Sequence, residues 1–283
     1  MTEKDYPNIF DYDDYRSFLR DFYISQKSKK RGFSYRFFSR IAGFRSPNIL
    51  KRVIDGQQNL TLSSINRFIK AIGLSFDEGT FYKNLVLFNQ SKSVEEKQKF
   101  AREIVFSRAY KKLKPMAKVQ YEYWSNWYNV VIRELVTLDE FREDPEWIAE
   151  TLNPPITPDE AKRSLDLLLQ LGLLKRNSQG KLMQDQTLVL AEDGVLSASV
   201  SQFHREMIGK AKESLDRFPL DERHLSTLTF AMSQKEYKEM LEMVQNFNKL
   251  LIEKARQARA GERVFQINTQ AFPLTQTIKR IMN

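Results

Sequence analysis

Between Lys27 and Lys70 the chain carries eleven basic side chains and a single acid. The bases are Lys27, Lys29, Lys30, Arg31, Arg36, Arg40, Arg45, Lys51, Arg52, Arg67 and Lys70, and the acid is Asp55. Ammonium and guanidinium groups at this density suit a phosphate polymer, because they displace its condensed counterions. Within the run, Arg45, Ser46 and Asn48 lie close together, and Lys51 and Arg52 follow about one helical turn later. Arginine can hold a guanine edge, and asparagine an adenine edge, through paired hydrogen bonds; serine and lysine more readily grip phosphate oxygens. The residues expected to touch double-stranded DNA are therefore Arg36, Arg40, Arg45, Ser46, Asn48, Lys51 and Arg52. Arg45 and Asn48 are the expected base readers, with Arg36, Arg40, Lys51 and Arg52 mainly on phosphates.

Other chemistry finds little footing. The chain has no cysteine, which excludes disulfides, thiolate nucleophiles and zinc-thiolate sites. His204 and His224 are its two histidines, and neither has a neighbour at metal-ligand spacing. No glycine-rich phosphate loop or Gly-x-Ser-x-Gly elbow occurs. The expectation is a protein that is not an enzyme and carries no cofactor or metal. Tyr121, Trp124 and Tyr128 share one face of an aromatic helix and could line a ligand pocket, although large aromatics more often fill cores and interfaces.

The elements that must position these groups read as mainly α. Tyr15, Phe18, Leu19, Phe22 and Tyr23 form a one-sided stripe over 13–27. A second helix is expected at 34–42 with Phe37, Phe38 and Ile41 inward, closed by Gly43. A third, over about 47–54, would be capped by Ser46 with Pro47 at its first position, leaving Leu50, Val53 and Ile54 inside. Thr61 should cap a fourth, with Leu62, Ile65, Phe68, Ile69 and Ile72 buried and Gly73 ending it. Helical spacing continues from 81 to 106, and the basic stretch 110–115 reads as a linker. An aromatic helix over 121–138 follows, then a short helix at 147–152. A capping box at Thr157 and Glu160 opens the next helix, and a hairpin turns through 177–180. Helix, helix and hairpin is the order of a winged helix, but that unit nets negative charge and is read as structural or dimerising rather than as a DNA reader. Helices at 197–215 and 234–258 follow. Strand-like segments at 224–231 and 263–269 bracket the last helix and could form a small sheet backed by it.

The 283 residues suit two domains, expected at 1–115 and 116–283. The 45 Lys+Arg against 36 Asp+Glu give a formal +9, unevenly spread. Residues 1–118 hold 24 bases and 12 acids, so the excess sits in the first part. Met1-Thr2-Glu3-Lys4-Asp5 leads into no apolar leader core, and no long apolar run suggests a membrane span. A cytoplasmic location is expected.

Residues 34–75 resemble the lambda-repressor-like (Cro/C1-type) helix-turn-helix. Phe38 through Gly43 match its first helix and turn, Leu50 and Val53 the recognition-helix core, Gly56 the following turn, and Phe68-Ile69-Lys70-Ala71-Ile72-Gly73-Leu74-Ser75 the closing helix. The turn between Gly43 and Leu50 is about one residue longer than the usual pattern. Nearly the whole chain also resembles a bacterial family of uncharacterised proteins that couple such a domain to a C-terminal domain of unknown function. Phe10-Asp11-Tyr12, residues 147–183 and the run from Phe265 to Thr275 carry that resemblance. It implies a transcriptional regulator. The combined expectation is a DNA-binding homodimer that pairs through residues 119–283, where a small-molecule or protein effector could act. The alternative is a protein-interaction module, or a component of a nucleoprotein complex, using the same basic face.

Overall fold

The computed structural model describes residues 6–185, 194–258 and 261–278. The leader reading of residues 1–5 lies outside the described residues. The chain is mainly helical, with one two-stranded antiparallel sheet. Its helices are α1 (Tyr15–Lys29), α2 (Tyr35–Ile41), α3 (Ile49–Ile54), α4 (Leu62–Ile72), α5 (Phe76–Gln90), α6 (Val94–Phe106), α7 (Arg108–Leu113), α8 (Pro115–Ser125), α9 (Trp127–Leu135), α10 (Pro145–Thr151), α11 (Pro158–Gln170), α12 (Gly194–Arg217) and α13 (Gln234–Arg256). The strands β1 (Leu174–Arg176) and β2 (Leu182–Gln184) pair Lys175 with Met183. No helix among the described residues is long and apolar enough to cross a membrane.

Two apolar cores hold these elements. The first gathers Phe18, Leu19 and Phe22 of α1, Phe38 of α2, Leu50 and Val53 of α3, Ile65 and Phe68 of α4, and Phe81 and Leu85 of α5. The second gathers Ile132 and Leu135 of α9, Ile148 of α10, Ala161 and Leu168 of α11, and Leu174 and Leu182 of the hairpin. α12 lies along α6, α8 and α9: its Ala198 joins the first core, and Phe203 meets Trp124 edge-on at 5.3 Å.

Local signals place most helix starts. Ser34, Thr61 and Thr157 each accept a hydrogen bond from an N–H in the first turn of the helix they begin, relieving donors that have no partner within the helix. At α11 the cap is reciprocal. The Glu160 carboxylate accepts from the Thr157 N–H at 2.9 Å and from its hydroxyl at 2.8 Å. The backbone and hydroxyl bonds from Thr157 hold the Glu160 carboxyl below its ordinary value of 4.5. A carboxyl with a depressed folded-state pKa stabilises above its unfolded pKa and loses that contribution as pH falls through the folded value. Thr157→Ala should therefore cost about 0.5–2 kcal/mol near neutral pH. In denaturant titrations the gap from wild type should narrow as the pH drops below the ordinary carboxylate range, and a gap that widens in acid would contradict the cap.

Several expectations are corrected. α3 begins at Ile49 rather than at Pro47, and its N-cap is Asn48, whose side chain makes no capping bond; Ser46 is not the cap. The Ser39 hydroxyl donates to the Pro47 carbonyl at 2.9 Å, which holds Pro47 in the turn. Ile41 is 48% and Leu62 59% exposed, because Phe38 and Ala42 fill the inner side of the short α2 and Leu62 stands at the open first position of α4. Residues 110–115 are no linker: α7 runs into α8, and Tyr110 stacks on Phe81 at 5.6 Å. The aromatic helix breaks at Asn126, where the chain is extended. The Asn129 amide donates to the Glu122 and Tyr123 carbonyls, each at 3.0 Å, satisfying acceptors left open at the end of α8. Residues 224–231 and 263–269 are extended but form no strand, so the small sheet backed by α13 is absent among the described residues. A strand needs a second backbone beside it, and neither segment meets one.

Candidate nucleic-acid interface

α1 and α2 fix α3 from behind and leave its front open. Ile49, Leu50, Val53 and Ile54 are buried, while Lys51 and Arg52 are exposed on the other side. The Arg16 guanidinium of α1 donates to the carbonyls of Val53 and Gln58, the latter at 3.1 Å, and to the Asn59 Oδ1 at 2.7 Å. The first of these bonds reaches a carbonyl in the last turn of α3, where a helix leaves acceptors open, and the other two pin the loop that follows it. The turn ahead of α3 is held as firmly. Gly43 takes a φ of +71°, a left-handed value that an L side chain resists. Phe44 meets Phe68 edge-on at 5.7 Å. Arg67 lies over the Phe44 ring, its carbon 5.2 Å from the centroid, and donates to the Gly43 carbonyl at 3.2 Å.

The result is a rigid turn that ends in exposed polar side chains. Arg45 and Asn48 are both exposed, and neither has a side-chain partner among the described residues. Ser46 is half-buried beside them. One turn into α3, Lys51 pairs with Asp55 at 2.5 Å, and that hydrogen bond raises the ammonium pKa. Arg52 is exposed. On α2, Arg36 and Arg40 are also exposed, with Arg40 lying over Phe37 at 5.3 Å. All seven expected contact residues thus lie on α2, on α3 or in the turn between them. Arg67 and Arg16 were not among them, although they brace this surface. Arg16 lies outside the basic run, and only the folded chain brings it to α3.

The aromatic trio is placed differently. Tyr121 faces the first core, edge-on to Phe106 at 6.4 Å, and burial raises its phenol pKa. Trp124 is packed between Tyr123 and Phe203, with its Nε1 buried and without a hydrogen-bond acceptor. Tyr128 is half-buried beside Trp127, with ring centroids 6.1 Å apart. α12 closes this face: Lys210 sits 3.5 Å from the Trp127 ring centroid, and burial lowers its ammonium pKa. A polar cleft of about 280 Å³ lies elsewhere, between residues 91–98 and Ser197, Ser201 and Arg205 of α12. Among the described residues no three His, Asp or Glu side chains gather closely enough to hold a metal ion.

No curated protein and no solved structure matches the chain. A family model does match residues 107–274, from the start of α7 to beyond α13. The chain belongs to the family defined by this domain of unknown function, DUF4423.

Proposed function

We propose that the protein is a DNA-binding transcriptional regulator. Its N-terminal helices act as a lambda-repressor-like helix-turn-helix, in which α3 enters the major groove. Residues 119–283 pair two copies and give an effector somewhere to act, and the unit of α10, α11 and the hairpin serves as a winged-helix-like structural part. The supporting observation is the tip of α3. Arg45 and Asn48 project, without a side-chain partner among the described residues, from a turn locked by Ser39, Arg67 and Phe68, while the apolar side of α3 is buried. A six-residue helix is about 9 Å long, short enough to meet a groove end-on. Lys51 and Arg52 then lie where phosphates flank the groove, and a phosphate can replace Asp55 as the partner of Lys51.

Retention of genomic fragments at several salt concentrations tests the reading. Selective retention of a few fragments supports it; uniform weak retention favours an interaction module that uses the basic face for an acidic partner. Lys51→Ala with Arg52→Ala should weaken binding to every sequence. The slope of log affinity against log salt should become shallower by about 1.8, from two phosphate contacts at roughly 0.9 each. An unchanged slope would remove both residues from the interface.

A further inference from the structure

α13 is 23 residues long, opens with a reciprocal cap between Ser233 and Glu236, and buries none of its side chains. Its apolar residues nevertheless gather on one side: Tyr237, Met240, Leu241, Val244, Phe247 and Leu251, with Met243 and Leu250 alongside. Cover from its own chain is partial, for Met243 is 71%, Phe247 53% and Leu250 63% exposed. An amphipathic helix in water draws most of its stability from packing that side against something.

The segments around α13 are equally incomplete. Leu225, Leu228 and Phe230 before it, and Phe265, Ile267 and Phe272 after it, are exposed on extended chain. Among the described residues, 224–232 and 263–272 make no backbone–backbone hydrogen bonds. Side chains alone tie the second segment down: the Tyr237 hydroxyl donates to the Ala271 carbonyl at 2.9 Å, and the Asn268 amide to the Met207 carbonyl at 2.8 Å. Extended chain with strand-type residues and open N–H and C=O groups is a template for another backbone.

Charge identifies the occupant. The first half of α13 carries Glu236, Glu239 and Glu242 against Lys235 and Lys238; the second half carries Lys249, Lys254 and Arg256 against Glu253. A two-fold axis between Gln245 and Asn246 would set Glu236, on one flank of the apolar side, near Lys254 of a second copy, which lies on the same flank, and Val244 against its Phe247. A parallel arrangement would oppose like with like. An anionic membrane selects a helix with a strongly basic polar face, whereas α13 carries five bases against four acids. The two extended segments add apolar area toward the roughly 800 Å² per partner that stable pairs bury.

We infer that residues 224–272 are an interface for a second copy of this chain, with the two α13 helices antiparallel and the extended segments completing each other's backbone pairing. This rests on the reading of residues 119–283 as the pairing half and is independent of DNA contact.

Sedimentation of the full-length chain at micromolar concentration tests it. Wild type should run at twice 33.4 kDa. Phe247→Asp with Leu250→Asp should run as one chain with its helical circular dichroism retained, since both side chains are already exposed. Lys254→Glu should also weaken the pair by setting a carboxylate beside Glu236 of the other copy, and adding Glu236→Gln, which keeps the cap on Ser233, should restore it. Because the chain lacks cysteine, single substitutions report orientation. Val244→Cys, next to the axis, should cross-link two copies on oxidation. Tyr237→Cys should not, since its two copies would lie roughly 25 Å apart along the helices at 1.5 Å per residue. Equal cross-linking at both positions would overturn the antiparallel arrangement. A wild-type dimer untouched by the aspartate pair would overturn this interface while leaving the pairing reading intact, whereas a monomeric wild type would overturn both. Fragment retention measured in parallel reports separately on DNA binding.

Discussion

Phe68→Ala should cost about 3–5 kcal/mol of stability, the range for removing a buried ring and leaving its space unfilled. Phe68 is fully buried at the meeting point of α2, α4 and the turn before α3. It packs edge-on against Phe38 at 5.1 Å and against Phe44 at 5.7 Å, a geometry that adds about 0.5–1.5 kcal/mol per pair beyond the area buried. Phe44 in turn carries Arg67, which bonds the Gly43 carbonyl. Losing the ring should therefore loosen the turn that presents Arg45 as well as lower the unfolding midpoint. Chemical denaturation followed by circular dichroism gives the first quantity, and DNA retention at a temperature where the variant stays folded gives the second. A cost below 1 kcal/mol would mean that the surrounding rings close over the gap.

Arg45→Ala and Asn48→Ala should each reduce discrimination between the preferred and other sequences by about 1–3 kcal/mol, roughly five- to 150-fold. Non-specific binding should change by no more than about one phosphate contact, because neither variant removes Lys51, Arg52, Arg36 or Arg40. The structural ground for a large effect is that nothing among the described residues competes for these two side chains, whereas Lys51 must exchange Asp55 for its target. Competition between a selected fragment and mixed DNA at fixed salt separates the two quantities. If Arg45→Ala lowers affinity for all sequences alike, that guanidinium sits on the backbone, and base reading passes to another residue of the tip.

Much of the fold was legible because it is written in local periodicity. The stripe of α1, the capped start of α4 and the reciprocal cap of α11 each follow from residues within one or two turns of each other. The start of α3 was not legible, for a physical reason. Ser46-Pro47 is a sound local start signal, but the Ser39 hydroxyl, eight residues back, claims the Pro47 carbonyl and delays the helix. The break at Asn126 was hidden in the same way, since Asn129 reaches carbonyls six and seven residues earlier. The basic surface was visible as charge, but its braces were not: Arg16 meets the end of α3 across 37 positions of sequence. The extended segments around α13 showed strand-type residues, yet residue type says nothing about whether a second backbone is near.

α12 acts as a crossbar. At 24 residues it spans about 36 Å, touching α6 beneath one core and α8 and α9 beneath the other. Three side chains within about one turn of its middle are engaged: Gln202 with Gln98, Phe203 with Trp124, and the Glu206 carboxylate with the Trp127 N–H at 3.1 Å. A tilt imposed at its far end by a second copy, if one docks as inferred above, would be passed along the helix. It must be absorbed by α6, and through α6 by the layer that carries the basic tip.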